Sequence, residues 1–545
     1  MATTGSAAAR GRGGHGEEAP TRGLMTHRQV LRALPGLLLG LFAAIVSSTI
    51  VTSALPEIIN DLGGGQSAYT WVVTASLLAM TATTPLWGKL ADRHSKKVLV
   101  QTALLVYITG SMAAGLAPDA GTLIAARAVQ GAGAGGLSAL AQIIMAVMVS
   151  PRDRGRYEGY VGGTFAVATV GGPLLGGVIT DTGWLGWRWC LLVGVPFAAV
   201  ALVVLRRSLD LPVPPRQGTG VDWAGAFLVT ETVCLLLIWV TFAGDRYAWL
   251  SWQTCVMVGG SVLFALVFLR VESRAGDPVV PLRLFRDRTI ALASLASLFV
   301  GVVMFAGAVF FSQYFELAQG KSPTVSGVMT IPVLAGLCVA STVSGRFITR
   351  TGRWKGWLLA GAVLLTVGLV LLGTLRQDTP YARLAAFMVL TGCGVGIMMQ
   401  NLVLCAQNQV GPSEIGSASS TVTFFRSLGG AVGVPVLGSV LSSRTGNHAR
   451  ESIGSLDPFD RLVAGTASTD GALPDPGALP ATVRNWLERA YGHGIGDIFL
   501  YCSPLACVAF AVILFIRETP LRASHGPDRQ AGDAERVPAV LTGAR

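Results

Sequence analysis

Three groups of charged residues stand where charge is expensive or oddly placed, and they set the chemistry open to this chain. The stretch Gly88-Lys89-Leu90-Ala91-Asp92-Arg93-His94-Ser95-Lys96-Lys97 puts one acid among four cations in a short turn. Such a turn can lock against a neighbouring helix end by charge-assisted hydrogen bonds, and releasing the lock biases a two-state rocking motion. Positive charge that merely sets topology explains Lys89, Arg93, Lys96 and Lys97 but not Asp92. Arg127, in Leu123-x-x-x-Arg127-x-x-Gln130-Gly131-x-Gly133, lies within an apolar block. An arginine there must face a partner or water, which makes it a functional candidate; the other reading is a structural arginine snorkelling toward the block's end. Arg426, in Arg426-Ser427-Leu428-Gly429-Gly430-x-x-Gly433, is about twelve residues into its block, hence ~18 Å deep at 1.5 Å per residue.

Of the 30 acids, only Glu231 falls well inside an apolar block; Asp92, Asp181, Asp222, Glu316 and Asp497 sit at block ends. Burial favours the protonated form of such a carboxyl, so Glu231 is a candidate proton carrier, with a structural hydrogen bond as the alternative. The eight cysteines all lie in apolar segments and read as packing residues, not disulfide or metal ligands. The six histidines lie in expected loops and tails, and no H-E-x-x-H occurs, so neither a metal nor another cofactor is expected.

The elements that position these residues are membrane helices. Of 545 residues, 51% are hydrophobic and 13% charged, against about 25% charged in soluble chains. A hydrocarbon core asks for about 20 apolar residues of helix. Fourteen segments meet that need: 33–55, 70–87, 98–117, 122–149, 158–180, 187–205, 223–243, 252–270, 289–315, 324–345, 356–375, 383–410, 415–442 and 494–516. With the amino terminus inside, the inner segments hold 29 Lys and Arg and the outer ones 9, five of these in the single long loop 443–493. That bias puts both termini in the cytoplasm. It also accounts for the net charge of +11 without nucleic-acid binding, because the cations are scattered between apolar blocks. The first block reads as a retained helix, not a signal peptide. Only 5 of the 41 basic residues are lysine, which, with abundant Ala and Gly, suggests a GC-rich bacterium such as an actinobacterium.

The chain also repeats itself. Gly131, Gly133, Pro151, Gly155, Gly172 and Gly177 recur 261 residues later as Gly392, Gly394, Pro412, Gly416, Gly433 and Gly438. The turn at 88–97 recurs weakly as Gly345-Arg346-Phe347-Ile348-Thr349-Arg350-Thr351-Gly352-Arg353. The expected organisation is a cytoplasmic tail 1–32, a six-helix half 33–206, two inserted helices with linkers 207–288, a second half 289–516 carrying the outer loop, and a cytoplasmic tail 517–545. Repeated halves with a site near the midplane belong to alternating-access transporters.

The turn at 88–97 closely resembles the cytoplasmic signature of the major facilitator superfamily, with Ser95 where that family usually has Gly. The Arg127 segment is similar to the family's fourth-span signature, which implies a part in proton coupling. Gly172-Pro173-Leu174-Leu175-Gly176-Gly177 resembles the G-P-x-x-G-G motif that marks exporters in the superfamily. Trp187-Arg188-Trp189 with Pro196, and the Arg426 segment, look like the fourteen-helix drug:proton antiporters (QacA/EmrB type), although Gly194 replaces a usual Asn. That subfamily often carries an acid in span 1; here Val46-Ser47-Ser48-Thr49-Ile50-Val51 has Ser47 at its place. The resemblance covers 35–516 and implies an all-α polytopic membrane protein of the major facilitator fold, with two pseudo-symmetric halves, two inserted helices and a cavity between spans 1, 4, 9 and 12.

The expected function is proton-driven export by alternating access, in a bacterial cell membrane, by a monomer without cofactors. With Arg127 and Arg426 in the membrane and no acid in span 1, neutral or weakly acidic aromatic substrates such as polyketide antibiotics suit it better than cations. Ser47, Ser48, Gln400, Asn401, Phe424, Phe425 and Arg426 are candidate cavity residues; generic packing explains Gln400, Asn401, Phe424 and Phe425 nearly as well. Proton-coupled uptake of a sugar, siderophore or other metabolite is the alternative, against which the span-5 motif argues. An enzyme is not expected: the loops carry no G-x-S-x-G and no phosphate-binding loop.

Overall fold

The computed structural model describes residues 27–62, 66–150, 153–182, 186–211, 222–243, 247–453 and 480–521, with Met25, Asp457, Asp460 and Arg461 in addition. The helices are α1 (His27–Asp61), α2 (Gln66–Arg93), α3 (Lys96–Gly115), α4 (Ala120–Met148), α5 (Gly155–Asp181), α6 (Arg188–Leu192), α7 (Gly194–Ser208), α8 (Trp223–Phe242), α9 (Trp252–Glu272), α10 (Arg288–Gln313), α11 (Pro323–Met329), α12 (Ile331–Thr351), α13 (Lys355–Leu372), α14 (Tyr381–Gln407), α15 (Ile415–Ser452) and α16 (Ala481–Leu514). A helix satisfies its own backbone polar groups, which is what an apolar solvent demands. Side chains finish the ends: Asp119 accepts from Thr122 N at 3.0 Å, Asp287 accepts from Thr289 N at 2.8 Å, and Gly352 closes α12 at φ 71°, a conformation that suits glycine. The sixth expected span is broken at Val193, three residues before Pro196, which has no N–H to carry the ladder.

Twelve helical spans among the described residues are long and apolar enough to cross a membrane, α6 and α7 together making one of them. The other two expected spans, α2 and α5, are helices of 28 and 27 residues outside that set. Threonines 81, 83 and 84 and Pro85 dilute α2, and the side chains of α5 are only partly described.

The internal repeat is a repeat of contacts. A Cβ on Gly131 of α4 would lie 2.2 Å from Ser76 O of α2, and one on Gly392 of α14 would lie 1.9 Å from Val333 O of α12. Gly133 is pressed likewise on Tyr107 N of α3, and Gly394 on Leu365 N of α13, at 2.5 and 2.6 Å. Gly172 of α5 faces Thr49 of α1, as Gly433 of α15 faces Val302 of α10. Each glycine removes the same obstacle at the same crossing of its own half, so the six-helix bundle is built twice. Among the repeat positions Pro151 lies outside the described residues, as do the surroundings of Gly155 and Gly177.

Each half has its own apolar core, around α1, α3, α4 and α7 in the first and around α10 and α12 to α16 in the second. The halves meet along two helix pairs, α2 with α15 and α5 with α12. Of the inserted helices, α8 packs Val233 and Leu237 against Leu78 of α2 and Phe424 and Leu428 of α15, while α9 is almost wholly exposed apart from its contact with α8.

Two expectations change. The loop taken to run from 443 to 493 is helical at both ends, because α15 continues to Ser452 and α16 starts at Ala481. Trp486 Nε1 donates to Ala449 O at 3.2 Å and Val483 packs with Ile453, so the extensions brace each other; residues 462–479 lie outside the described residues. Cysteines 255 and 507 are exposed on helix faces, so not all eight serve internal packing. Ser95, which stands where the family usually has Gly, sits at φ −58° as the residue before α3, a conformation open to any residue.

Candidate functional site

The turn at 88–97 marks what we call the basic end of the bundle, and there the two halves are tied together. Asp92, in the last turn of α2, accepts from Gly416 N at 2.7 Å, Ser417 N at 2.8 Å and Ser417 Oγ at 2.6 Å. These are unsatisfied donors of the α15 amino terminus, where the helix dipole favours an anion. The approach depends on Gly88, where a Cβ would lie 1.9 Å from Ser420 Oγ. Lys89 and Arg93 both pair with Asp277, on the linker after α9, so the inserted helices are strapped to the same turn. Lys96 is buried, and its charge acts on Asp92. Burial outweighs these partners and raises the Asp92 carboxyl to about 6.

Further ties between the halves stand at this end. Gln142 of α4 donates to Gln400 of α14 at 2.9 Å. Arg154, just before α5, donates to Gln407, which donates to Ser419 of α15 at 2.6 Å. Asp277, Gln142, Arg154 and Gln407 take part in these ties although no spacing rule singles them out, since only the fold brings them together.

Inside the first half, Arg127 does not snorkel outward. It is 3% exposed and donates to Gln130 Oε1 and, at 3.4 Å, to Val72 O of α2. Gln130 Nε2 in turn donates to Ser47 Oγ of α1 and Ser111 Oγ of α3, both at 2.7 Å. Ser47, at the place of the usual acid, is thus joined through Gln130 to Arg127, and four helices share one polar network. Among the described residues no salt bridge includes Arg127 or Arg426. Arg426, 6% exposed, donates to Met399 O of α14 at 3.3 Å.

The other candidates separate. Ser48 is exposed and donates to Ile45 O at 2.8 Å. Gln400 belongs to the inter-half tie, and Asn401 is buried and donates to Ile397 O at 2.7 Å. Phe424 and Phe425 meet edge to face at 5.6 Å, Phe424 against α8 and Phe425 against Phe285 at 6.0 Å. Glu231 is half-buried beside Cys234 on α8. Gly172 and Gly176 are buried in α5; the surroundings of Pro173 and Gly177 lie outside the described residues. A small apolar cavity of about 70 Å³ opens between the halves, lined by Phe165 and Thr169 of α5 with Val303, Phe311, Leu337 and Val395. Drug-sized sites run to about 300–1,000 Å³, so a molecule of that size does not fit here in this arrangement of the halves.

The Major Facilitator Superfamily model matches residues 37–434. The chain is 33% identical over 511 residues to an uncharacterized MFS-type transporter of Mycobacterium tuberculosis, covering 92% of this chain and 72% of that protein. It is 32% identical over 520 residues to the multidrug transporter protein MdtP of Bacillus subtilis, covering 91% and 95%, and 31% identical over 499 residues to the efflux pump dotC of Dothistroma septosporum, covering 90% and 84%. In fold it is similar to the human organic anion transporter MFSD10 (TETRAN), with TM-score 0.58 at 16% identity over 89% of this chain and 99% of that one. The proton:xylose symporter XylE follows, with TM-score 0.56 at 14% identity over 90% and 96%; at these identities the likeness concerns the fold alone.

Proposed function

The chain belongs to the major facilitator superfamily, and we propose that within it this protein is a proton-driven exporter of small apolar or aromatic molecules, of the fourteen-helix drug:proton antiporter type. It is a multi-pass membrane transporter, not an enzyme. The observation that carries the mechanism is the Asp92 carboxylate on the amino terminus of α15, a charge lock between halves that can be made and broken as they rock. Export rather than uptake is supported by the Gly172-Pro173-x-x-Gly176-Gly177 segment and by the relatives named as multidrug and efflux transporters. Inward proton movement supplies about 2.3 kcal/mol per charge per 100 mV. The buried cations Arg127 and Arg426, with Ser47 in place of an acid, favour neutral or weakly acidic substrates, and the apolar lining at Phe165 and Phe311 suits aromatic ones.

In this reading α2 and α5 also cross the bilayer, the basic end and both termini face the cytoplasm of a bacterial cell, and one chain suffices. Expression in a drug-sensitive host should lower accumulation of a polyketide antibiotic such as tetracycline, and a protonophore should abolish the effect. Raised accumulation would mean uptake, and an effect that survives the protonophore would remove proton coupling. A cysteine at Ser455 should react with an impermeant thiol reagent in intact cells and one at Ser524 should not; the reverse sinks the orientation.

A further inference from the structure

Two carboxylates that none of the transport machinery above uses meet at the basic end of the inserted helices. Asp222 precedes α8 and accepts from Gly225 N through Oδ1 at 2.9 Å; Glu272 ends α9 and accepts from Val280 N through Oε1. Their remaining oxygens, Asp222 Oδ2 and Glu272 Oε2, are buried without a hydrogen-bond partner. Both point at one spot: a Cβ on Gly225 would lie 2.7 Å from the first and 2.5 Å from the second. Glu272 is 2% exposed and Asp222 half-buried, and Leu86 of α2, Ala226 of α8, Phe268 of α9, Val279 and Val280 of the linker and Phe285 form an apolar cluster beside them. Two bare carboxylates in such a place repel and leave two acceptors unsatisfied, a cost that one shared hydrogen removes.

We propose that Asp222 and Glu272 hold one proton between them, and that this proton keeps the linker after α9 clasped to the gate. The linker runs from Glu272 to Val280 and carries Asp277, the partner of Lys89 and Arg93. The charged group facing the pair is Lys89 from α2, which acts on Glu272; behind it lies Asp277 of the linker, which pairs with Lys89 and with Arg93. Three ionised carboxylates against two cations leave a net negative charge; one shared proton makes the cluster neutral and leaves Lys89 to Asp277. Loss of the proton frees Glu272 to draw Lys89 away, which loosens the clasp. The inference rests on the gate reading above and adds to it a proton site outside the two halves.

Infrared spectroscopy of the full chain in lipid at about pH 8, where ordinary carboxyls are ionised, tests it. Wild type minus Glu272→Gln and wild type minus Asp222→Asn should each contain the carbonyl stretch of one protonated carboxyl. In both variants an amide N–H donates covalently what the proton supplies, and Asn remains a good cap for α8, so both should fold. If neither difference contains the band, the pair is ionised and the proposal fails; a band in only one places the proton on a single residue and overturns the sharing. Spin labels at His94 and Arg274 should move apart in wild type as pH rises, and this change should be lost in Glu272→Gln; an equal change in both overturns the link to the gate. A band present while export survives a protonophore would uphold the site and remove proton coupling from the proposed function, and a band absent while export stays proton-driven would do the reverse.

Discussion

Asp92 and Ser417 lie 325 residues apart in sequence, yet Asp92 Oδ2 accepts from both Ser417 N at 2.8 Å and Ser417 Oγ at 2.6 Å. One carboxylate therefore joins the last turn of α2 to the first turn of α15, and with it one half of the protein to the other. Hydrogen bonds to a charged group contribute about 1.5–3 kcal/mol, enough to decide a two-state equilibrium yet weak enough to break in each cycle.

Asp92→Asn keeps the shape of the side chain and removes its charge. Asn escapes the cost of burying the charge and so holds the locked form longer. The variant should slow transport in vesicles by about one to two orders of magnitude, the scale that the raised pKa of this carboxyl implies, while substrate affinity in detergent changes little. Unchanged transport would mean that the charge serves topology only.

The same carboxyl gives a pH dependence whose sign follows from its environment. In the locked state burial raises it to about 6, against 3.8 when free. The proton therefore binds the locked form more tightly, and the penalty for burying the charge, present above pH 6, disappears as pH falls toward 4. The locked population should rise on acidification over that window, read as the distance between spin labels at the exposed His94 and Ser413, and Asp92→Asn should show a smaller response. A locked population that falls with pH would contradict this.

Arg127 does a different job. Its removal leaves Gln130 Oε1 without the donor it has now and takes a positive charge from the network that reaches Ser47. Arg127→Ala should abolish proton-driven export while substrate still binds in detergent. Ser47→Ala leaves Gln130 its bond to Ser111 and should cost at most about 1 kcal/mol of thermal stability. Coupled export by Arg127→Ala would remove the residue from proton coupling.

Much of this arrangement was legible from residue types and spacing. The repeated glycines announced two equivalent bundles because a close helix crossing leaves no room for a side chain, and that demand stands in the sequence at both copies. Asp92 was legible because an acid has no topogenic use in a basic turn. Asp277 and Glu272 were not legible. Asp277 looks like any linker acid until the fold brings it to Lys89, and Glu272 falls beyond the apolar block at 252–270 until α9 runs two residues further. The aromatic lining at Phe165 and Phe311 was hidden for a related reason: in a chain this apolar, a phenylalanine facing a cavity and one facing a neighbour look alike.

Everted membrane vesicles test proton-driven export most directly, since their interior corresponds to the cell exterior. With an acid interior, labelled tetracycline should accumulate inside vesicles carrying the protein, several-fold above vesicles without it, and collapse of the gradient should release it. Accumulation only when the gradient is reversed, or accumulation that ignores the gradient, would contradict the account.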